Sequence, residues 1–360
     1  MGKKIEIPFG NTALSLESNF VARQSDGSIW ARVGDTVVLA TVVSSKQPRE
    51  DIDFFPLICD YREYISSIGK IPGGFFKREG KPTEREILVS RLIDRSIRPL
   101  FPQDYRKEVQ VVVSVVSADM ENNPDVPAVV AVSSAITASK IPFSGPVGAV
   151  RIGLIDNKYV INPTNTQMKD SLIDMIISGT DGSILMIEGD GKECSEEQFL
   201  EAVRVGHQEI KRIVEKQREF IGEKEGWEEE KYDEEIERKA YNFISERIEK
   251  AYEFPEKKAR IEFYNTMAEE FLLSFPDEKK EEAKKVFEKA LETNIRRLIV
   301  STGRRLDGRN PLEIRPLECV VGLLPRTHGS ALFTRGQTQC LASVTLGTSR
   351  DEQIIEGLHE

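Results

Sequence analysis

The chain has 360 residues, 39% hydrophobic and 31% charged, with a net charge of −10. This is the composition of a soluble globular protein of two or more domains. It excludes a general nucleic-acid coat protein, and no apolar run approaches the roughly 18 residues of a membrane span.

The start, MGKKIEIPFG, has no apolar export core, so a cytoplasmic location is expected. Four scattered cysteines (Cys59, Cys194, Cys319, Cys340) form no CxxC pair and read as free thiols. Three isolated histidines, His207, His328 and His359, make no ligand cluster, and no zinc is expected. Residues 1–60 read as successive strands broken by turns at Gly10-Asn11, Asp26-Gly27 and Gly34-Asp35. Residues 61–82 form a loop rich in glycine and aromatic residues. From Thr83 to Arg98 a helix is predicted, because Thr83 with Glu86 makes a capping box and Pro99 ends the run.

QVVVSVVSA (110–118) is strongly β-branched and predicts a buried strand. VPAVVAVSSAITAS (126–139) is small and apolar throughout, which suits a helix packed closely on a sheet. ADMENNPDVP carries Asp119, Glu121 and Asp125 without the spacing of a calcium loop, so these read as turn acids. More short strands follow up to residue 187, and the mixed order indicates an α+β fold. From Ser195 to about Val300, Glu, Lys and Arg dominate at helical spacing. The heptads are not sustained, and Pro255 and Pro276 interrupt them, which favours a short helical domain over a coiled coil.

Charge is unevenly spread. Residues 62–107 hold eleven basic and six acidic side chains, and residues 296–315 hold six arginines against two acids. Local basic patches on an acidic body suit an anionic ligand held at a defined place. In the first patch, Gly73 and Gly74 precede Phe75 and Phe76, then Lys77 and Arg78. Adjacent aromatics on extended backbone point to opposite sides, so one ring faces solvent or a partner. With basic neighbours, such a ring can stack a nucleobase. The other reading packs both rings beneath the loop or at a subunit interface, and the residues alone leave both open. Arg91, Arg95 and Arg98 share one helical face, with Val89, Ile93 and Ile97 opposite. That stripe is a candidate set of phosphate contacts, with pairing of Asp94 to Arg91 and Arg98 as its rival.

The last region repeats the first. GSIWARVGDTVVLATV (27–42) and GSALFTRGQTQCLASV (329–344) share seven of sixteen residues at a constant offset of 302. Each copy predicts a strand, a tight turn at Gly34 or Gly336, and a second strand. A duplication of this length means two related domains, of which the second has only just begun. His328 stands where the first copy has Asp26, so that position reads as structural.

IPGGFFKREGKPTEREILVSRLIDRSIRPLFP (71–102) resembles the first core domain of the polynucleotide phosphorylase family. GRRLDGRNPLEIRPLE and LPRTHGSALFTRGQTQCLASVTLGTSRD resemble the opening of that family's second core. The resemblance implies two ribonuclease PH-like cores, each of mixed sheets and helices, separated by an all-helical domain. The expected division is 1–143 and 144–215 for the first core, 216–300 for the helical linker and 301–360 for the start of the second core. It further implies a homotrimeric ring that degrades single-stranded RNA from the 3′ end. Inorganic phosphate is the co-substrate, nucleoside diphosphates are released, and magnesium assists. The RNA-gripping role falls on Phe75, Phe76, Lys77 and Arg78, with Lys77 where many relatives carry arginine. The metal-binding and catalytic residues are expected beyond Glu360, so that this segment alone binds RNA without catalysis. The alternative is a non-catalytic, ring-forming subunit of an exosome-like complex. A single-domain ribonuclease PH is disfavoured by the duplication.

Overall fold

The computed structural model describes residues 2–48, 52, 54–73, 77–222, 231–352 and 358. The chain divides into two units, residues 1–229 with 354–360, and residues 230–353.

The first unit begins with β1 (Lys4–Phe9), β2 (Thr12–Ser18), β3 (Gly27–Val33), β4 (Thr36–Pro48) and β5 (Leu57–Glu63). Then come α1 (Glu84–Ile97), β6 (Lys107–Ser117), α2 (Asp125–Ala138), β7 (Gly148–Ile155), β8 (Lys158–Ile161) and α3 (Asn165–Met168). It closes with β9 (Ile173–Gly179), β10 (Ile184–Gly191) and α4 (Glu196–Ile221). One sheet has the order β1-β2-β3-β4-β6-β5, and only the β5–β6 pair is parallel. The other has the order β10-β9-β7-β8. The expected loop therefore starts later than its composition indicates: pairing with β6 holds the chain extended as far as Glu63.

Alternation decides which side of the six-stranded sheet is dry. Val109, Val111, Val113 and Val115 of β6 all point inward and are fully buried, as are Val38, Ala40 and Val42 of β4. Each buried valine contributes about 1.5–3 kcal/mol. Helix α2 packs against β3 and β4 of this sheet and against β7 of the other. A helix wet on no side must be apolar all round, and residues Val126 to Thr137 are all buried. Its small residues permit close approach: a Cβ on Gly27 would lie 2.2 Å from the Ala135 carbonyl oxygen. The few polar groups on α2 are all bonded. Ser133 Oγ accepts from the Val147 amide at 2.7 Å, and Ser134 donates to Gln217 at 2.9 Å.

The Glu/Lys-rich composition begins at α4, yet α4 packs on β7 and β9 of the first unit. Its apolar stripe, including Ala202, Ile210, Ile213 and Val214, is fully buried. Composition shifts there because one face is solvated, not because a domain ends.

In the second unit, α5 (Glu234–Ser245), α6 (Lys257–Leu272) and α7 (Asp277–Thr302) enclose a separate core. Phe271 sits at its centre, with ring centroids of Phe243, Phe275 and Phe287 at 5.4, 5.0 and 5.5 Å. The chain then forms a three-stranded antiparallel sheet, β11 (Leu317–Val321), β12 (Gly329–Arg335) and β13 (Thr338–Val344).

The duplication is visible in register as well as sequence. Gly27 pairs with Val42 and Val33 with Thr36; Gly329 pairs with Val344 and Arg335 with Thr338. Gly34 and Gly336 take φ of +58° and +60°, a turn geometry that a side chain disfavours. Asp26 Oδ2 accepts from the Ser44 amide at 2.7 Å, and His328 Nδ1 accepts from the Leu346 amide at 2.9 Å. Both bonds span 18 residues and lie 302 residues apart. The position keeps its acceptor while its chemistry changes, so His328 has a structural role.

Candidate nucleic-acid interface

Helix α1 and the loop before it bring the first basic patch together. The helix starts as its sequence requires: Thr83 Oγ1 accepts from the Glu86 amide at 3.2 Å, and Glu86 Oε2 accepts from the Thr83 amide at 2.6 Å. Val89, Ile93 and Ile97 are buried and fix the roll of the helix. Glu86 is buried too, because it also accepts from the Glu63 amide at 2.8 Å and meets Arg62 at 3.3 Å.

The arginines of the outward face have three different fates. Arg98 is committed to the fold. It grips both carboxylate oxygens of Asp94, at 2.5 and 2.9 Å, and donates to the Phe55 and Leu57 carbonyls at 3.1 and 3.3 Å. It therefore covers the free edge of β5. Arg95 pairs with Glu188 at 2.9 Å, with both side chains about half exposed. A pair of that exposure contributes about 0–1 kcal/mol and is easily exchanged for an incoming phosphate. Arg91 is exposed and has no ion pair or hydrogen bond among the described residues. It lines an open groove of about 370 Å³ between β5 and α1, together with Cys59, Asp60, Ser90 and Asp94.

The groove offers a cation and no nucleophile. Burial, then the neighbouring Asp94, pushes the Cys59 thiol far above its ordinary range and keeps it neutral. Ser90 Oγ accepts from the Tyr61 amide at 3.0 Å and donates to the Glu86 carbonyl at 2.8 Å, so both its roles are filled. The chemistry available is binding of an anion by Arg91, with Arg95 in reserve on the same helix.

In the preceding loop, Phe75 and Phe76 lie outside the described residues. Lys77 and Arg78 are exposed, and the chain after them is pinned at two points. Glu79 Oε1 accepts from the Ile65 amide at 3.0 Å, and Arg62 donates to the Gly80 carbonyl at 3.0 Å.

Beneath this surface lies a polar network that the sequence reading missed. Tyr61 donates to Glu63 at 2.7 Å; Arg85 bridges Glu63 at 3.0 Å and Asn123 at 2.6 Å. Burial, reinforced by Glu63, raises the Tyr61 phenol well above its ordinary range. Arg151 similarly joins Asp125 at 3.2 Å to Asp174 at 2.6 Å. Asp125 is thus a buried ion-pair partner rather than a turn acid. Its signal in the sequence was weak: an acid at the first position of a wholly apolar helix. Asp119 is a turn acid, as its context indicated. It accepts from the amides of Asp35, Glu121 and Asn122 at 3.1, 2.9 and 2.7 Å. Among the described residues no group of His, Cys, Asp and Glu is arranged to hold a metal ion.

Comparison with known proteins gives three family matches. The 3′ exoribonuclease family, domain 1, matches residues 12–142 and again 313–357. Domain 2 of that family matches 145–209, and the RNA binding domain of polyribonucleotide nucleotidyltransferase matches 235–310. The polyribonucleotide nucleotidyltransferase of Thermomicrobium roseum is 46% identical over 98% of this chain and 47% of its own length. Those of Acidiphilium cryptum and Thermodesulfovibrio yellowstonii are 46% and 43% identical, over 98% and 99% of this chain and 50% and 52% of their own. The chain thus spans about half the length of these curated relatives. Among solved structures, rice Rrp46 aligns with a TM-score of 0.48 and 16% identity, over 59% of this chain and 94% of its own.

Proposed function

The chain belongs to the 3′ exoribonuclease family, in its polyribonucleotide nucleotidyltransferase branch, and from that premise we propose that it is the RNA-gripping, ring-forming N-terminal part of a phosphorolytic exoribonuclease. The enzyme removes nucleotides one at a time from the 3′ end of single-stranded RNA. Inorganic phosphate attacks the phosphorus of the terminal phosphodiester, the bond from that phosphorus to the 3′ oxygen of the preceding nucleotide breaks, and the terminal nucleotide is released as a nucleoside diphosphate while the shortened RNA keeps a free 3′ hydroxyl. The observation that carries this reading is the repeated core with a helical, RNA-binding type of domain between the copies.

In this reading residues 1–143 and 144–215 form the first core, 216–300 the helical linker, and 301–360 the start of the second core. Phe75 and Phe76 stack on successive bases, worth about 1–3 kcal/mol per base, while Lys77 and Arg78 neutralise the adjoining phosphates. Arg91 takes a phosphate in the groove beside β5. Arg95 joins it by leaving Glu188, and Arg98 holds the groove's wall in place through Asp94. The assembly is a homotrimer in the cytoplasm, open to recruitment into an RNA-degradation complex. Magnesium supplies charge neutralisation on phosphate oxygens, with ligands that the family resemblance puts past residue 360.

Phosphate-dependent release of nucleoside diphosphate from 3′-labelled poly(A), with magnesium, tests the proposal on this chain. The expected result is RNA binding without release, with binding lost in the Phe75→Ala/Phe76→Ala double variant. Robust release would put the catalytic residues within these 360 residues. Absence of RNA binding would overturn the reading.

A further inference from the structure

An edge strand presents a row of unpaired amides and carbonyls, and a charge or a proline on it discourages another strand from joining. Among the described residues the sheets end at β1, β5, β8, β10, β11 and β13. The first five carry charge within the strand, for example Lys4, Asp60, Lys158, Glu188 and Glu318. β13, TQCLASV, has neither a charge nor a proline, and all seven of its residues are exposed. Its counterpart in the first unit, β4, has the same edge filled by β6, which pairs with it antiparallel. The β13 edge is thus of a kind that takes an antiparallel strand, and it lacks the usual protection.

Register shows what the edge offers. Arg335 and Thr338 close the hairpin, so Thr338 turns its backbone groups towards β12. Alternation then turns those of Gln339, Leu341 and Ser343 outward. Val320, Leu332 and Leu341 stand in one row across the three strands, and Leu341, at the open end of the row, is 54% exposed.

These features fit one partner, a second copy of the same strand. An antiparallel pairing about a two-fold axis at Leu341 sets Leu341 against its own copy and Gln339 against Ser343. The outward backbone groups then meet their like in matching register. The two apolar rows join end to end, with the small Cys340 and Ala342 on either side of the axis. A two-fold axis brings any charge close to it against an identical charge, and a neutral strand escapes that repulsion.

We propose that β13 is a self-association edge: two copies of this chain pair antiparallel about Leu341 and join their three-stranded sheets into one of six strands. The inference does not depend on the exoribonuclease reading, and a two-fold contact is one that a three-fold ring does not itself supply.

Sedimentation equilibrium of this chain, with and without Leu341→Lys, tests it. The unmodified chain is expected to associate in even steps. Leu341→Lys places two ammonium groups against each other at the axis and should raise the dissociation constant of that contact by about 10-fold or more. Val321→Lys adds the same charge to β11, the opposite edge of the same sheet, and should leave it unchanged. A second measurement reads the register and needs no disruptive variant. In a Cys319→Ser/Cys340→Ser background, Leu341→Cys puts two thiols on directly opposed residues, whose Cα atoms in such a pair are about 5.5 Å apart, within disulfide reach. Mild oxidation should link that variant into a covalent dimer. Gln339→Cys, two residues along the same face, faces Ser343 instead and should stay unlinked. A monomer at all concentrations would overturn the proposal, as would a trimer indifferent to Leu341→Lys, which would leave the ring reading intact. Equal crosslinking of the Leu341→Cys and Gln339→Cys variants would overturn it too, because chance collision does not distinguish the two positions.

Discussion

The hairpin of β3 and β4 and the hairpin of β12 and β13 share sequence, register and turn geometry, but they differ in what surrounds them. Ala31, Ala40 and Val42 are fully buried beneath α2, whereas Val344 of the second copy is 51% exposed and Phe333 44%. Thr36 is buried and donates to Asp119 at 3.0 Å; its counterpart Thr338 is exposed. The same local pattern produces the same hairpin with or without a core against it. Turn chemistry and alternation set the pairing, and tertiary contacts supply the stability.

The sharpest way to break the equivalence is a charge on the inner face. Ala40→Asp buries a carboxylate with no partner and should destabilise the first unit by on the order of 4 kcal/mol. The matched Ala342→Asp should cost less than about 0.5 kcal/mol. Scanning calorimetry of the two variants reads the difference directly. Equal losses would mean that the second hairpin is covered in solution.

The turn glycines give a smaller contrast. A Cβ on Gly34 would lie 2.6 Å from Asn122 Nδ2 and 2.7 Å from Asp119 Oδ2, both fixed in one hydrogen-bonded loop. On Gly336 the nearest atom is the Arg315 side chain at 3.1 Å, which can move away. Gly34→Ala should therefore cost about 2–3 kcal/mol, the left-handed backbone penalty plus the clash, and Gly336→Ala about 1 kcal/mol. Similar losses in urea unfolding of the two variants would show that backbone strain alone sets both.

A pH dependence is tied to the first turn, against which Asp119 is bonded. Partial burial works to raise that carboxyl. Hydrogen bonds from the Asn122 amide and side chain and from the Glu121 and Asp35 amides outweigh it, and hold the group down to about 2. A carboxyl lowered in the folded state stabilises the fold above its unfolded value of about 3.9, and the contribution fades as pH falls towards about 2. Asp119→Asn should lower the melting temperature most at neutral pH, with the gap from the unmodified chain closing between about pH 4 and 2, so that the acid limb is flatter. An unchanged limb would move the acid sensitivity to other carboxylates.

How much of this was legible in advance depended on distance along the chain. The Thr83–Glu86 capping box, the buried helix α2 and both hairpins rest on patterns shorter than twenty residues, and the α+β class follows from their order. The pairing of Arg98 with Asp94 was readable as an i,i+4 contact. Its bonds to the Phe55 and Leu57 carbonyls were not, nor was Arg95 with Glu188, 93 residues away, because only the packed sheets bring them together. The basic loop and the arginine helix were legible as a patch. Which arginine has no ion pair or hydrogen bond among the described residues was a tertiary fact. The approach of the Arg304 guanidinium carbon to the Tyr252 ring, 5.1 Å from its centroid, was hidden for the same reason: neither residue stands out in its own segment.

The smallest expected effect tests whether the duplicated position at Asp26 and His328 needs a charge or only an acceptor. Both side chains bind an amide 18 residues downstream at a partly wet site. If acceptance is all that counts, His328→Asp should shift stability by less than about 0.5 kcal/mol, since a carboxylate also fills the role. Asp26→Ala should cost about 1 kcal/mol by leaving the Ser44 amide without its partner, and Asp26→Asn should recover most of that without restoring charge. Amide hydrogen exchange at Ser44 and Leu346 reports each bond locally, free of the global unfolding that masks so small a change. Fast exchange at Ser44 in Asp26→Asn would show that the first copy depends on the carboxylate itself, and the two positions would then be alike in geometry but not in energetics.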